Sequence, residues 1–267
     1  MKSRVLSALI LAPIVLGIIY LGGTTFVCVV AIVTGIMTAE WQQLSNSGRL
    51  GLVGSLGIGI VATVVLLSFF LSVPWALTGL SFGAVLVWLL VRRHIGLVGV
   101  SNIWIVPGIV SVGCMGIGLV WLRDIGDSGF QIVLWLMLTV WVTDILALFV
   151  GRFFRGPKLA PTISPNKTWA GLIGGILGAA LWSGFWSYWT ETSSILALAI
   201  IGGGTAVLAQ LGDLGVSVVK RRFDAKDTGN LIPGHGGLLD RMDGFLGAVP
   251  VVALSLAISK GDVSQWP

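Results

Sequence analysis

Charge is what this chain has least of. Asp, Glu, Lys and Arg make up 10% of its 267 residues, and histidine occurs at two positions. A surface so poor in charge cannot hold a domain of this size in water, which excludes a soluble globular protein. Cysteine is nearly missing too. Cys28 and Cys114 both fall in long apolar runs, where a thiol packs as a small hydrophobe, so neither a disulfide nor a cysteine metal site is indicated. The chain also lacks internal repeats, low-complexity tracts and any polar stretch long enough to form a soluble domain.

Apolar residues take the place of charge: 55% of the chain is hydrophobic, mean hydropathy is +0.98, and there are 12 Trp and 38 Gly. Apolar runs approach spanning length nine times, at 5–21, 24–39, 51–72, 75–91, 98–121, 130–151, 169–189, 194–212 and 243–259, against the about 20 residues that a helix needs to cross a bilayer. The expected fold is therefore an all-α polytopic membrane protein of nine transmembrane helices. Five lie in an amino-terminal region, 1–128, and four in a carboxyl-terminal catalytic region, 129–267, the two forming one structural unit. Gly22, Gly23, Thr24 and Thr25 permit either a hairpin or one broken helix between the first two spans, and the hairpin is favoured. A cleaved signal peptide is the alternative for the opening residues, but another apolar segment follows at once and no A-x-A-like site precedes it.

Loop charge tests the count independently. With a cytoplasmic amino terminus, alternate loops place Lys2, Arg4, Arg49, Arg92, Arg93, Arg152, Arg155, Lys158, Lys167, Lys220, Arg221, Arg222, Lys226 and Arg241 inside, and only Arg123 and Lys260 outside. That is the positive-inside asymmetry of a multi-pass protein of the cell's inner membrane, and it points to no nucleic-acid partner. Gly171/Gly175 and Gly174/Gly178 have the small-x-x-x-small spacing of close helix packing, within the chain or, as the alternative, in a homodimer.

The remaining polar residues are concentrated. Asp144 stands within an apolar helix, about seven residues from its cytoplasmic end and so roughly 10 Å deep. A carboxylate there should face a polar cavity, a cation or a basic partner, the plainer reading being a lone Asp bonded to a neighbouring helix. Asp213, Ser217 and Lys220 follow at i, i+4 and i+7, on one helical stripe able to act on one ligand. Beyond Arg221, Lys226 and Asp227 comes Pro233-Gly234-His235-Gly236-Gly237, whose glycines can expose backbone N–H groups to an anion. Asp240 and Asp243, spaced i, i+3 with Arg241 beside them, repel each other unless a cation intervenes, and a hard oxygen-liganded ion such as Mg²⁺ suits that position. Lys167 lies in a hydroxyl-rich turn, Ser164 to Thr168, just before a helix whose free N–H groups would meet a phosphate. Arg152 and Arg155 add to the basic stretch before that turn, anchoring to anionic headgroups being the plainer alternative for those two taken alone.

Those residues carry a resemblance. The run S-x-x-K-R-x4-K-D-x-G-x2-I-P-G-H-G-G-x2-D-R-x-D from Ser217 to Asp243 resembles the signature of the phosphatidate cytidylyltransferases, or CDP-diacylglycerol synthases. G-R-x-F-x-G-P-K-L-A-P-x-I-S-P-N-K-T-W at 151–169 and G-D-L at 212–214 add to it. The likeness is close over the carboxyl-terminal half and extends to the amino-terminal half only in hydropathy. It implies transfer of CMP from CTP to phosphatidic acid, with release of pyrophosphate and a requirement for Mg²⁺, a second cation being left open. By the resemblance, Asp213, Asp240 and Asp243 are metal ligands, with Asp144 a further candidate. Lys220 and Asp227 join those three acids as catalytic residues. Ser164, Lys167, Thr168, Ser217, Arg221, Lys226, His235, Gly236, Gly237, Arg241 and Asp144 contact substrate. Val216 departs from the pattern, standing where many relatives carry Glu, and Ile145 to Leu148 replace the usual small and aromatic residues.

An ion-coupled transporter is the rival reading, since such carriers also bury acids among many helices, but their sites lie at the bilayer midplane in inverted repeats, and here the polar groups gather at predicted cytoplasmic helix ends. The CDP-alcohol phosphotransferase pattern D-G-x2-A-R-x8-G-x3-D-x3-D is absent.

The charge asymmetry makes a direct prediction. In a Cys28→Ser/Cys114→Ser background, an impermeant thiol reagent applied to intact cells should label Glu191→Cys and leave His235→Cys unlabelled until the membrane is opened. The reverse pattern would invert the topology.

Overall fold

The computed structural model describes residues 2–45, 51–94, 104–191, 194–231 and 236–258. Among them are nine helices: α1 Lys2–Leu21, α2 Gly23–Ser45, α3 Leu52–Leu67, α4 Val73–His94, α5 Ile105–Arg123, α6 Gly129–Phe154, α7 Trp169–Thr190, α8 Ile195–Arg222 and α9 Leu239–Ile258. A short antiparallel ribbon, β1 Lys158–Ala160 with β2 Ser164–Thr168, interrupts the all-α pattern. Seven helices are long and apolar enough to cross a membrane, while α1 and α3 contribute shorter apolar stretches, Ala12–Leu21 and Leu52–Leu67. Large apolar side chains such as Phe70, Trp75, Phe82, Leu181 and Trp189 lie exposed on the helices, as a bilayer-facing surface requires.

Helix ends depart from the apolar runs where local chemistry overrides hydropathy. α3 stops at Leu67, short of the run's end at 72, with Ser68 as its C-cap; the chain turns over 68–71, and α4 begins at Val73 with Pro74 in its first turn, where the missing N–H costs no helical bond. α8 continues ten residues past its apolar run to Arg222, because backbone hydrogen bonding persists once the side chains can reach polar surroundings. α6 likewise runs on to Phe154, so Asp144 stands ten residues from its end, roughly 15 Å along the axis. Between α1 and α2, Gly22 and Gly23 take φ of 60° and 52°, conformations open to glycine, and the break is a single residue long. The exposed carbonyls at the end of α1 are capped from afar: Arg123 Nε donates to Ile19 O at 2.7 Å and Nη2 to Tyr20 O at 3.2 Å.

The chain forms two compact units, Met1–Gly126 with Lys220–Met242, and Asp127–Val219 with Asp243–Pro267. In the first, α2, α3, α4 and α5 pack around Met37, Val61, Val87, Ile109, Met115 and Leu122, all fully buried. Trp41 Nε1 is satisfied there by the carbonyl of Trp104 at 2.8 Å.

In the second unit, α6 and α7 approach closely enough that side chains would not fit between them. A Cβ at Gly171 would lie 2.7 Å from the Ala147 carbonyl, and one at Gly175 3.1 Å from that of Thr143. Trp135 Nε1 donates to Ser183 Oγ at 3.0 Å across the same contact. The glycine spacing seen in the sequence is thus used within the chain. α8 and α9 meet in the same manner at Gly212 and Gly247, where a Cβ on Gly212 would lie 2.9 Å from the Gly247 nitrogen.

Gly171→Ala should therefore destabilise the protein by about 1–3 kcal/mol through overpacking against backbone that cannot yield. Gly204→Ala, on α8 with nothing within 4 Å of its added Cβ, should be neutral or slightly stabilising through helix propensity. Thermal unfolding in detergent compares the two, and equal melting temperatures would show the α6–α7 contact to be looser than described.

Candidate active site

The second unit holds one polar cluster, built around Lys167. Helix α6 ends at Arg155 (φ 53°), and Gly156 (φ 91°) turns the chain into the ribbon. Lys167 therefore stands in β2 rather than in an open turn. Its ammonium group lies 2.8 Å from Asp213 Oδ2, donates to Gln210 Oε1 at 2.8 Å and reaches the Gln210 carbonyl at 3.4 Å. Three acceptors thus match the three N–H bonds of a lysine. Ser217 Oγ donates to the other oxygen of Asp213 at 3.3 Å, one turn further along α8. Asp243 Oδ1 accepts from the N–H of Gly244 at 2.8 Å, and the backbone of Asp243 lies against Gly212, the neighbour of Asp213, where α8 and α9 touch.

The beginning of α7 is already occupied. Thr168 is its N-cap, buried, with Oγ1 accepting from Gly171 N–H at 3.1 Å, and the Trp169 N–H donates to the Pro157 carbonyl at 3.1 Å. These amides hold the ribbon to the helix, which is why Thr168, read from sequence as a substrate contact, acts here as a cap. Ser164 is half-buried, paired with Ala160 across the ribbon. Asp144 is exposed on α6.

The first unit holds the second cluster, centred on Asp240, whose side chain is 5% exposed. Lys220 Nζ lies 2.7 Å from Asp240 Oδ1. Oδ2 accepts from Thr228 N–H at 2.8 Å and Gly237 N–H at 3.1 Å, and it shares the single Thr228 hydroxyl proton with Glu40, Oγ1 lying 3.1 Å away. Gly236 takes φ of 80°, the left-handed conformation expected of this loop. The Gly237 N–H, read from sequence as facing a ligand phosphate, meets the protein's own Asp240 carboxylate. Around this core Arg221 is exposed and donates to the Ala225 carbonyl at 3.2 Å, and Lys226, Asp227 and Arg241 are exposed. His235 lies outside the described residues.

Two side chains of these clusters were missed by sequence reasoning. Gln210 could have been found, since it sits at i, i+3 from Asp213 on the same stripe. Glu40 accepts from Thr228 Oγ1 at 3.0 Å, Leu238 N–H at 2.9 Å and Leu239 N–H at 2.8 Å, capping the start of α9 from α2. Its signal was being the one acidic residue in the first 123 positions.

Among the described residues no three His, Cys, Asp or Glu side chains converge to hold a metal ion. Asp240 and Asp213, both assigned to the metal from sequence, are each already paired with a lysine, Lys220 at 2.7 Å and Lys167 at 2.8 Å, so an ion at either would share the carboxylate with an ammonium group. Asp213 and Asp243 stand on the two helices that touch at Gly212; so few carboxylates suit an ion such as Mg²⁺, which keeps waters and takes phosphate oxygens as its other ligands.

The fold and this site define a class: a polytopic helical membrane protein whose lysines and carboxylates are grouped around helix ends. Residues 2–259 match the model of the cytidylyltransferase family, and the chain belongs to that family. It is 34% identical to a phosphatidate cytidylyltransferase of Brucella melitensis over 97% of this chain and 94% of that one. Enzymes of the same name from Staphylococcus haemolyticus, 30% identical, and Bacillus subtilis, 29% identical, align over 96% and 97% of this chain and 99% and 98% of their own.

The Lys220–Asp240 pair is testable apart from activity. Lys220→Met leaves a buried carboxylate without its counter-charge and should destabilise the protein by roughly 3 kcal/mol. Lys220→Met/Asp240→Asn should melt above the single variant, because the orphaned charge is gone. If the single variant melts like wild type, the pair contributes no stability.

Proposed function

We propose that this protein transfers CMP from CTP to the phosphate of phosphatidic acid, giving CDP-diacylglycerol and pyrophosphate, in the inner membrane with its polar clusters facing the cytoplasm. The observation that carries this reading is the nearly full-length match to phosphatidate cytidylyltransferases from three bacteria, joined to the unbroken signature from Ser217 to Asp243.

The chemistry asks for positioning and charge rather than for a protein nucleophile. A phosphate oxygen of phosphatidate is already anionic. It attacks the α-phosphorus of CTP, the new P–O bond forms as the bond from that phosphorus to the bridging oxygen breaks, and the electron pair leaves on pyrophosphate. The obstacle is the approach of two anions. Lys167, held in place by Asp213 and Gln210, supplies a positive charge with no freedom to wander, and Lys220, fixed by Asp240, supplies another. Asp213 and Asp243 would hold Mg²⁺, which when bound neutralises charge on the phosphate oxygens. Ser217 orients the Asp213 carboxylate. A lipid substrate requires helices that open towards the bilayer, in keeping with a chain whose exposed surface is apolar.

The test is CTP-dependent pyrophosphate release in detergent, with and without phosphatidate. Asp243→Asn should abolish turnover without lowering the melting temperature, and Asp213→Asn should abolish it with some loss of stability, since it also leaves Lys167 without its counter-charge, whereas Lys167→Ala should lose at least a hundredfold and Arg49→Ala, which serves topology alone, should not. Wild-type turnover in either Asp variant at saturating Mg²⁺ would rule out the metal assignment, and release without phosphatidate would rule out the acceptor.

A further inference from the structure

Glu40 lies in α2, close to 200 positions before the residues it binds, within an apolar helix, and its side chain is buried. Nothing in the proposed chemistry uses it. Its two oxygens take three neutral donors: the N–H groups of Leu238 and Leu239, which open α9, and the Thr228 hydroxyl. The same hydroxyl lies 3.1 Å from Asp240 Oδ2, and the Thr228 N–H donates to that oxygen. One threonine therefore links the carboxylate of α2 to the carboxylate that holds Lys220. Two glycines make the fit possible. A Cβ on Gly229 would come 2.9 Å from Glu40 Oε1, and one on Gly237 would strike both the Thr228 hydroxyl and the Glu40 carboxylate. The arrangement has no slack for a shorter or differently charged group.

From this geometry we infer that Glu40 is a positioning residue for the nucleotidyl transfer. It seats the first turn of α9 and, through Thr228, sets where Asp240 holds Lys220. The catalytic consequence rests on the function proposed above, while the clamp itself does not. A carboxylate is required because the Leu238 and Leu239 N–H groups can only donate and each takes its own oxygen. Glutamine offers one oxygen and turns an amide NH₂ towards N–H groups, and aspartate falls one methylene short. Displacing catalytic groups by about 1 Å can cost a hundredfold in rate without touching the substrate.

The test uses the full-length protein with two independent readouts, amide hydrogen exchange over 236–241 and steady-state kinetics. In Glu40→Gln, exchange at Leu238 and Leu239 should quicken while α3 to α5 keep their protection. In the same variant kcat should fall between tenfold and a hundredfold with KM for CTP within about threefold of wild type. Thr228→Val should resemble it, and Thr228→Ser should restore kcat. The double variant Glu40→Gln/Thr228→Val should be no worse than the poorer single one, since both cut the same linkage. Gln42→Ala serves as the packing control, removing a buried α2 side chain whose amide nitrogen has no hydrogen-bond partner among the described residues.

Unchanged exchange at 238 and 239 in Glu40→Gln overturns the clamp. Faster exchange with kcat within twofold of wild type overturns the positioning role, as does a kcat loss that Gln42→Ala shares in proportion to melting temperature. A wild-type protein that releases no pyrophosphate from CTP sinks the proposed function and the positioning role with it, and the exchange data then decide the clamp alone.

Discussion

A polar group withdrawn into an apolar medium must find its partner within the protein, because no water is present to supply one. The arrangement of this chain follows from that constraint. Thr34, Thr38, Thr139 and Thr143, all buried, return their hydroxyl protons to carbonyls of their own helices. Trp135 gives its indole N–H to Ser183. Charged groups cannot be satisfied so locally, and each recruits a distant segment: Lys167 reaches Gln210 and Asp213, Lys220 reaches Asp240, and Glu40 reaches Leu238 and Leu239. The few charges in the sequence thus fix which segments of each unit must meet. Glycine then decides how closely they do so, at Gly171, Gly212, Gly229 and Gly237.

Hydropathy was enough to read the helices, because crossing a bilayer imposes a length that soluble helices do not have. Every apolar run has its helix, and the errors fall at ends. Lys220 to Arg222 extend α8 because helical hydrogen bonding does not stop where apolarity stops, and the run that α3 was expected to fill breaks at Ser68, five residues before α4 begins. The ribbon around Lys167 was not legible, since a pairing of three residues with five, interrupted by a bulge, has no periodicity to detect. Spacing revealed the stripe of Asp213, Ser217 and Lys220 because one helix carries it. Spacing could not reveal Glu40, whose partners lie close to 200 positions away, a separation that leaves no local pattern.

At the described end of the glycine segment, Gly236 takes a left-handed φ and the N–H groups of Gly237 and Leu238 meet carboxylates of the chain itself, Asp240 and Glu40. Donors held in this way are ordered before any ligand arrives, whereas unpartnered ones would have to order on each encounter, at a cost in affinity.

The same economy of ordering applies to the lysines. On the proposed reaction they must meet a substrate carrying several negative charges, and a lysine drawn from water would lose its hydration and its rotamer freedom at that moment. Lys167 and Lys220 have lost both already, being 16% and 13% exposed and each held at 2.8 Å or less by a carboxylate. Turning towards a phosphate oxygen exchanges one anionic partner for another in surroundings of similar polarity, so the step requires little new desolvation. The carboxylates thereby do two things that a bare basic patch could not. They keep the lysines oriented before substrate arrives, and they offset the local positive charge that would otherwise draw in any anion near the membrane.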